Sequence, residues 1–189
     1  MAVESRMLAL GTPAPDFSLH DTTGRLYSLK DVADAKGLLV AFICNHCPFV
    51  LHILDGFVRF AHDYVPRGLA IVAINANDAD SYPDDSPANM MKLAAARNFN
   101  FPYLFDSSQS VARAYQAMCT PDFFLFGAGK LVYRGQFDAS RRNNQVAVTG
   151  SDMRAAADAL FAGRTLERQV PSIGCSIKWR PGKAPDWAA

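Results

Sequence analysis

Two almost wholly apolar runs, Leu38-Leu39-Val40-Ala41-Phe42-Ile43 and Leu69-Ala70-Ile71-Val72-Ala73-Ile74-Asn75, flank a segment of helical periodicity. Runs of this kind belong to strands buried on both faces, as in a sheet covered by helices. Between them Val50, Ile53, Leu54, Phe57, Val58 and Ala61 recur at spacings of three and four, the period of an amphipathic helix over residues 48–64. Strand, helix and strand in this order make a parallel βαβ unit. The chain has 189 residues and is 50% hydrophobic, enough for one sizeable core and a natural length for a single domain.

The rest of the pattern extends this unit. Asp16-Phe17-Ser18-Leu19 and Leu26-Tyr27-Ser28-Leu29 flank the turn residues Asp21-Thr22-Thr23-Gly24, predicting an N-terminal hairpin. Ser86-Pro87 opens a second helix running toward Phe99, with serine as N-cap and proline in the first turn. Residues 102–105 are short enough for an edge strand, and 111–118 read as a brief helix. Asp122-Phe123-Phe124-Leu125-Phe126 and Leu131-Val132-Tyr133-Arg134 around Gly127-Ala128-Gly129 read as an antiparallel hairpin. A last helix starts at Ser151. Residues 165–189, rich in Pro, Gly and Trp, have no period and are expected to form an irregular tail.

Composition excludes several classes. With 19 basic against 18 acidic residues and a formal charge of +1, the chain carries no field that would gather nucleic acid or an anionic membrane. No stretch approaches the roughly 18–20 apolar residues of a membrane span, and the first residues lack a signal-peptide core. The expectation is a cytoplasmic protein. Four cysteines, at 44, 47, 119 and 175, are too few and too unevenly spread for a disulfide-stapled scaffold. In a reducing compartment they are working thiols or core residues.

Cys44-Asn45-His46-Cys47-Pro48 follows the first apolar run directly, placing a CxxC pair where strand gives way to helix. The unpaired amides and positive dipole end of a helix stabilise a sulfur anion there. A free thiol with a pKa near 8.5 is only a few per cent ionised at neutral pH. Lowering the pKa by ~1.5 units makes it about half thiolate, worth ~2 kcal/mol. A helix end assisted by a protonated His46 could supply that much.

The order of these parts resembles the thioredoxin-like superfamily, in its redoxin branch of peroxiredoxins and peroxiredoxin-like (AhpC/TSA-like) proteins. The resemblance rests on Gly11-Thr12-Pro13-Ala14-Pro15-Asp16-Phe17, the corner at 44–50 and Cys119-Thr120-Pro121-Asp122-Phe123-Phe124-Leu125. It implies an α/β thioredoxin-like fold with a central mixed sheet. It also implies a thiol-disulfide oxidoreductase that acts on protein or small-molecule disulfides and is recharged by a thiol donor. No organic cofactor is implied, and a homodimer is compatible with it.

The resemblance leaves the attacking sulfur open. Matching CxxC to CxxC makes Cys44 the nucleophile and Cys47 the resolving thiol. Matching strand to strand puts Cys47 on the attacking position and Val50 on the second. Proline prefers the first helical position, so Pro48 there makes Cys47 the N-cap and favours Cys47. Thr120-Pro121 resembles the cis-proline loop set against the active cysteine, where Thr120 would pair with an extended substrate. Asn45 and Pro48, flanking the thiols, join Thr120 as expected substrate contacts. Cys119 is expected in the core, with the active site as the alternative. Cys175 lies in a tail that could swing in as a distant resolving thiol.

One departure limits the peroxide-reducing, antioxidant alternative. Peroxiredoxins carry a hydroxyl three residues before the attacking Cys, a proline seven before it, and a distant Arg, of which the hydroxyl and guanidinium stabilise the peroxide's developing charge. Before Cys47 those two positions hold Cys44 and Val40, and before Cys44 they hold Ala41 and Gly37. Arg134 and Arg141 are the arginines left for the role. A second alternative is a soft-metal site for zinc or copper from Cys44, His46, Cys47 and Cys175. The acidic segment 77–85 lies beyond a parallel strand's end and is expected to be a solvated loop, with a ligand site as its alternative.

Overall fold

The structure, a computed structural model, describes residues 2–188. In chain order it has β1 (Ala2–Glu4), β2 (Ser18–Asp21), β3 (Leu26–Ser28), β4 (Gly37–Phe42), α1 (Pro48–Tyr64), β5 (Leu69–Asn75) and α2 (Pro87–Ala96). There follow β6 (Tyr103–Phe105), α3 (Ser110–Ala114), β7 (Cys119–Thr120), β8 (Asp122–Gly127), β9 (Lys130–Arg134), α4 (Ser151–Phe161) and β10 (Ile173–Ser176).

Seven strands form a mixed sheet in the order β3-β2-β6-β5-β4-β8-β9. The apolar strands β4 and β5 lie side by side and parallel at its centre, as their composition requires. Successive side chains of a strand point to opposite faces, so β4 serves two cores at once. Leu39 and Ala41 join the cluster under α1, α2 and α4, whereas Leu38, Val40 and Phe42 join the cluster on the α3 face. Each large aliphatic or aromatic side chain buried this way contributes about 1.5–3 kcal/mol. Val50, Ile53, Leu54, Phe57 and Ala61 form the buried stripe of α1 on the first of these clusters.

Two expectations change. The strand at 103–105 is interior, because the N-terminal hairpin of β2 and β3 pairs onto it through His20 and Asp21. The segment at 165–189 is not irregular throughout. Ile173–Ser176 is the central strand of a second, three-stranded sheet of order β1-β10-β7. Pairing there comes from the backbone, and a four-residue strand containing glycine shows no hydrophobic alternation to read. The flanks of β10 are tied down as well. The Ser172 amide donates to Ser5 Oγ at 2.9 Å, and the Lys178 amide to Asn77 Oδ1 at 2.8 Å.

Candidate active site

The corner between β4 and α1 holds the two neighbouring thiols. Pro48 takes the first helical position and Cys47 is the N-cap, in extended conformation. Cys44 lies just past the end of β4, and both residues are fully buried. The loop between them is pinned by Asp85, itself fully buried. Asp85 Oδ1 accepts the Asn45 amide at 2.7 Å, and Oδ2 accepts Asn77 Nδ2 at 2.7 Å. Asp85 Oδ2 also lies 2.8 Å from His46 Nδ1, but outside the angle of a hydrogen bond. His46 stacks on Tyr82, with ring centroids 5.7 Å apart. Asn45, an expected substrate contact, is engaged inside the protein, donating from Nδ2 to the Asp84 carbonyl and accepting from Tyr103 Oη.

Opposite the corner, the Thr120–Pro121 bond is cis and both residues are buried. The Thr120 carbonyl lies 3.1 Å from Cys47 Sγ and accepts from it when the sulfur is protonated. Thr120 Oγ1 lies 3.3 Å from Cys44 Sγ. The expected meeting of corner and cis-proline loop is therefore present. Behind the loop, Arg134 pairs with Asp122, both fully buried, and its guanidinium lies 3.7 Å from the centroid of the Phe124 ring.

The thiols divide by electrostatics. Donation from the Cys44 thiol holds Cys47 well below the ordinary thiol value. Burial opposes this, while the Cys175 thiol and the backbone amides of Val50 and Cys175 reinforce it. No capping hydrogen bond of ordinary geometry closes on Val50, so the neighbouring thiol outweighs the helix end. Cys44 moves the other way, pushed far up by that same bond to Cys47, by burial and by the Asp85 charge. The physical consequence is one thiolate at Cys47 held by protonated neighbours.

The remaining candidates sort clearly. Cys119 is buried, donates to the Pro121 carbonyl at 3.5 Å, and burial raises it well above the usual range, as expected of a core thiol. Cys175 does not need to swing in from a distance. It sits on β10 opposite Thr120, the residue whose carbonyl lies 3.1 Å from Cys47 Sγ. Pro48 borders the site as the first residue of α1. Neither arginine reserved for peroxide chemistry is free. Arg134 is held by Asp122, and Arg141 donates to Gln136 Oε1 and to the carbonyls of Asp138 and Ser140.

The donor set gathered for a cation differs from the one expected. Among the described residues, Cys44, His46 and Asp85 bring ligand atoms within 4.8 Å of one another, and Cys47 and Cys175 are not in this set. It offers one thiol where the expected set had three, and soft metals are held by several thiolates or imidazoles. Asp85 was missed from the sequence because it lies in the acidic segment expected to be solvated. Asn77, Asp78 and Asp85 are all buried there.

A protein of undescribed function from Geobacillus kaustophilus has a structure matching 96% of this chain and 98% of its own, with a TM-score of 0.94 and 54% identity. A thioredoxin-like neighbour from Neisseria meningitidis matches 79% of this chain and 89% of its own, with a TM-score of 0.62 and 21% identity, a likeness of fold. Among curated proteins, the thiol-disulfide oxidoreductase ResA of Geobacillus thermodenitrificans is 28% identical over 122 residues, 65% of this chain and 66% of ResA. The mitochondrial peroxiredoxin PRX1 of Saccharomyces cerevisiae is 20% identical over 124 residues, 66% of this chain and 47% of PRX1. The chain thus spans between about half and two thirds of the length of these curated relatives. Residues 10–134 match the AhpC/TSA family, and with the cysteine corner and cis-proline loop inside that span, the chain belongs to this thioredoxin-like redoxin family.

Proposed function

We propose that the protein is a thiol-disulfide oxidoreductase in which Cys47 attacks a substrate disulfide and a second thiol of the cluster resolves the mixed disulfide. The observation that carries this reading is the placement of Cys47. It is the N-cap of α1, faces the cis-proline loop, and is ionised at the expense of a neighbouring thiol that stays protonated. Thiolate attack forms one sulfur-sulfur bond as another breaks, and the rate depends on thiolate fraction and access. In this reading His46, 26% exposed beside the pair, relays a proton from solvent to the departing thiolate. The cytoplasmic setting expected from the sequence suits such a cycle, since a reducing pool supplies the thiol donor.

Peroxide reduction is the second reading, supported by the family alone. It lacks the hydroxyl three residues before Cys47, and Arg134 and Arg141 are both held by other partners. Turnover with hydrogen peroxide and with a small disulfide, measured in parallel on wild type, Cys47→Ser and Cys44→Ser, separates the two. The expected result is disulfide turnover abolished by Cys47→Ser and slow peroxide turnover throughout. Loss with Cys44→Ser and retention with Cys47→Ser would hand the nucleophilic role to Cys44.

A further inference from the structure

The edge beside the cis-proline loop is already filled. A polypeptide substrate in extended conformation would pair with the backbone of Thr120, but β10 of the chain itself pairs there, antiparallel, with Cys175 opposite Thr120 and Ser176 opposite Cys119. The approach is close. A Cβ on Gly174 would lie 2.1 Å from the Thr120 carbonyl oxygen, so glycine is what lets the strand lie against the loop. The far edge of β10 is covered by β1, and Ser172 and Lys178 anchor its two ends. The result is a sulfur delivered next to Cys47 by strand pairing.

We infer that Cys175, carried by β10 into the edge position beside Thr120, is the thiol that resolves Cys47, so that the working disulfide joins Cys47 to Cys175. This rests on the thiol-disulfide reading above and specifies its second sulfur. Geometry separates Cys175 from Cys44. Cys44 is fully buried behind the corner, in contact with Thr120 Oγ1 and next to the Asp85 charge. Cys175 is only partly buried; burial and the neighbouring Cys47 raise its thiol to about 11, with Lys178 opposing them, so it stays protonated until it reacts.

The steps balance. Cys47 thiolate attacks one sulfur of R–S–S–R′, a Cys47–S–S–R bond forms, and R′–S⁻ leaves and takes a proton from solvent. Cys175 then gives its proton to the departing R–S⁻ while its sulfur attacks Cys47 Sγ, forming the Cys47–Cys175 bond as the bond to R breaks. The substrate gains two electrons and leaves as two thiols. The cysteine pair loses those electrons, and an external dithiol returns them by the reverse exchange.

Full-length wild type and Cys44→Ser, Cys47→Ser and Cys175→Ser are treated with 2-hydroxyethyl disulfide, alkylated, and digested with trypsin without reduction. Cys44 and Cys47 fall in the peptide 37–59 and Cys175 in 169–178. The expected product is a cross-link between these two peptides, present in wild type and Cys44→Ser and absent in Cys47→Ser. In Cys175→Ser the mixed disulfide on 37–59 should accumulate, and multiple turnover should fall at least about tenfold. A disulfide confined to 37–59, with Cys175 alkylated and Cys175→Ser turning over like wild type, overturns the inference and leaves the thiol-disulfide reading standing. If Cys47 takes up no adduct and nothing turns over, both fall.

Discussion

If β10 shields Cys47 by lying against the cis-proline loop, a single methyl group at position 174 should unshield it. The ideal Cβ of Gly174→Ala would meet three backbone atoms, Thr120 O at 2.1 Å, Thr120 C at 2.6 Å and Pro121 N at 3.0 Å. None of these is the end of a flexible side chain, so relief requires moving the strand or the loop. Reaching ordinary contact takes a displacement of about 1.3 Å, more than close-packed neighbours absorb without loss. Overpacking of this kind costs about 1–3 kcal/mol. The strain falls on the local pairing of β10 with β7, which therefore opens more often. A cost of about 2 kcal/mol raises the open population roughly 30-fold, since each 1.4 kcal/mol is a factor of ten.

The assay is the second-order rate of Cys47 alkylation by iodoacetamide at pH 9, read by mass spectrometry on the 37–59 peptide. At that pH even an ordinary thiol is mostly ionised, so the rate reports access rather than charge. Gly174→Ala should alkylate between about 5- and 150-fold faster than wild type, for the cost range given. The same variant should form less of the Cys47–Cys175 link. An alkylation rate within about twofold of wild type, in a variant whose Tm is lowered as the overpacking requires, would refute the idea that β10 controls access to Cys47.

Three further outcomes follow from the same geometry. Cys47 is depressed in the folded protein, so between the folded and unfolded pKa values the native state binds fewer protons and this group's contribution to stability rises with pH. That contribution is complete above the unfolded value near 8.5 and lost as pH falls through the folded one. Cys47 alkylation should accordingly hold its rate as pH falls from 9 to 7, and a tenfold drop per unit below about 8.5 would contradict the depressed value. Asp85→Asn turns one acceptor into a donor facing Asn45 N–H or Asn77 Nδ2, leaving a buried group unsatisfied at about 1–3 kcal/mol. Calorimetry should show Tm lowered by about 3–10 °C. Arg134→Met strands the Asp122 carboxylate in the core and should cost about 3–5 kcal/mol in urea denaturation, with partial recovery in Arg134→Met combined with Asp122→Asn.

What the sequence made legible was set by side-chain pattern, and what it hid was set by backbone and by long-range pairing. The strands β4 and β5 and the stripe of α1 declare themselves because burial on two faces or on one helical stripe dictates residue type position by position. Cys47 as N-cap followed from Pro48 alone, since proline's fixed φ and missing N–H fit the first helical position. Asp85 was hidden for the opposite reason. Acidic residues at 84 and 85 look alike in sequence, yet one is buried because two donors from Asn45 and Asn77 converge on it, and convergence of distant segments leaves no local trace. The strand β10 was hidden still more completely, because Ile173-Gly174-Cys175-Ser176 pairs on both edges through backbone groups that every residue carries. Only Gly174 hinted at it, since a strand pressed against another backbone has no room for a Cβ. The site therefore has two origins. Local signals place Cys47 at a helix start, and a tertiary pairing unreadable from periodicity brings Cys175 to the cis-proline loop.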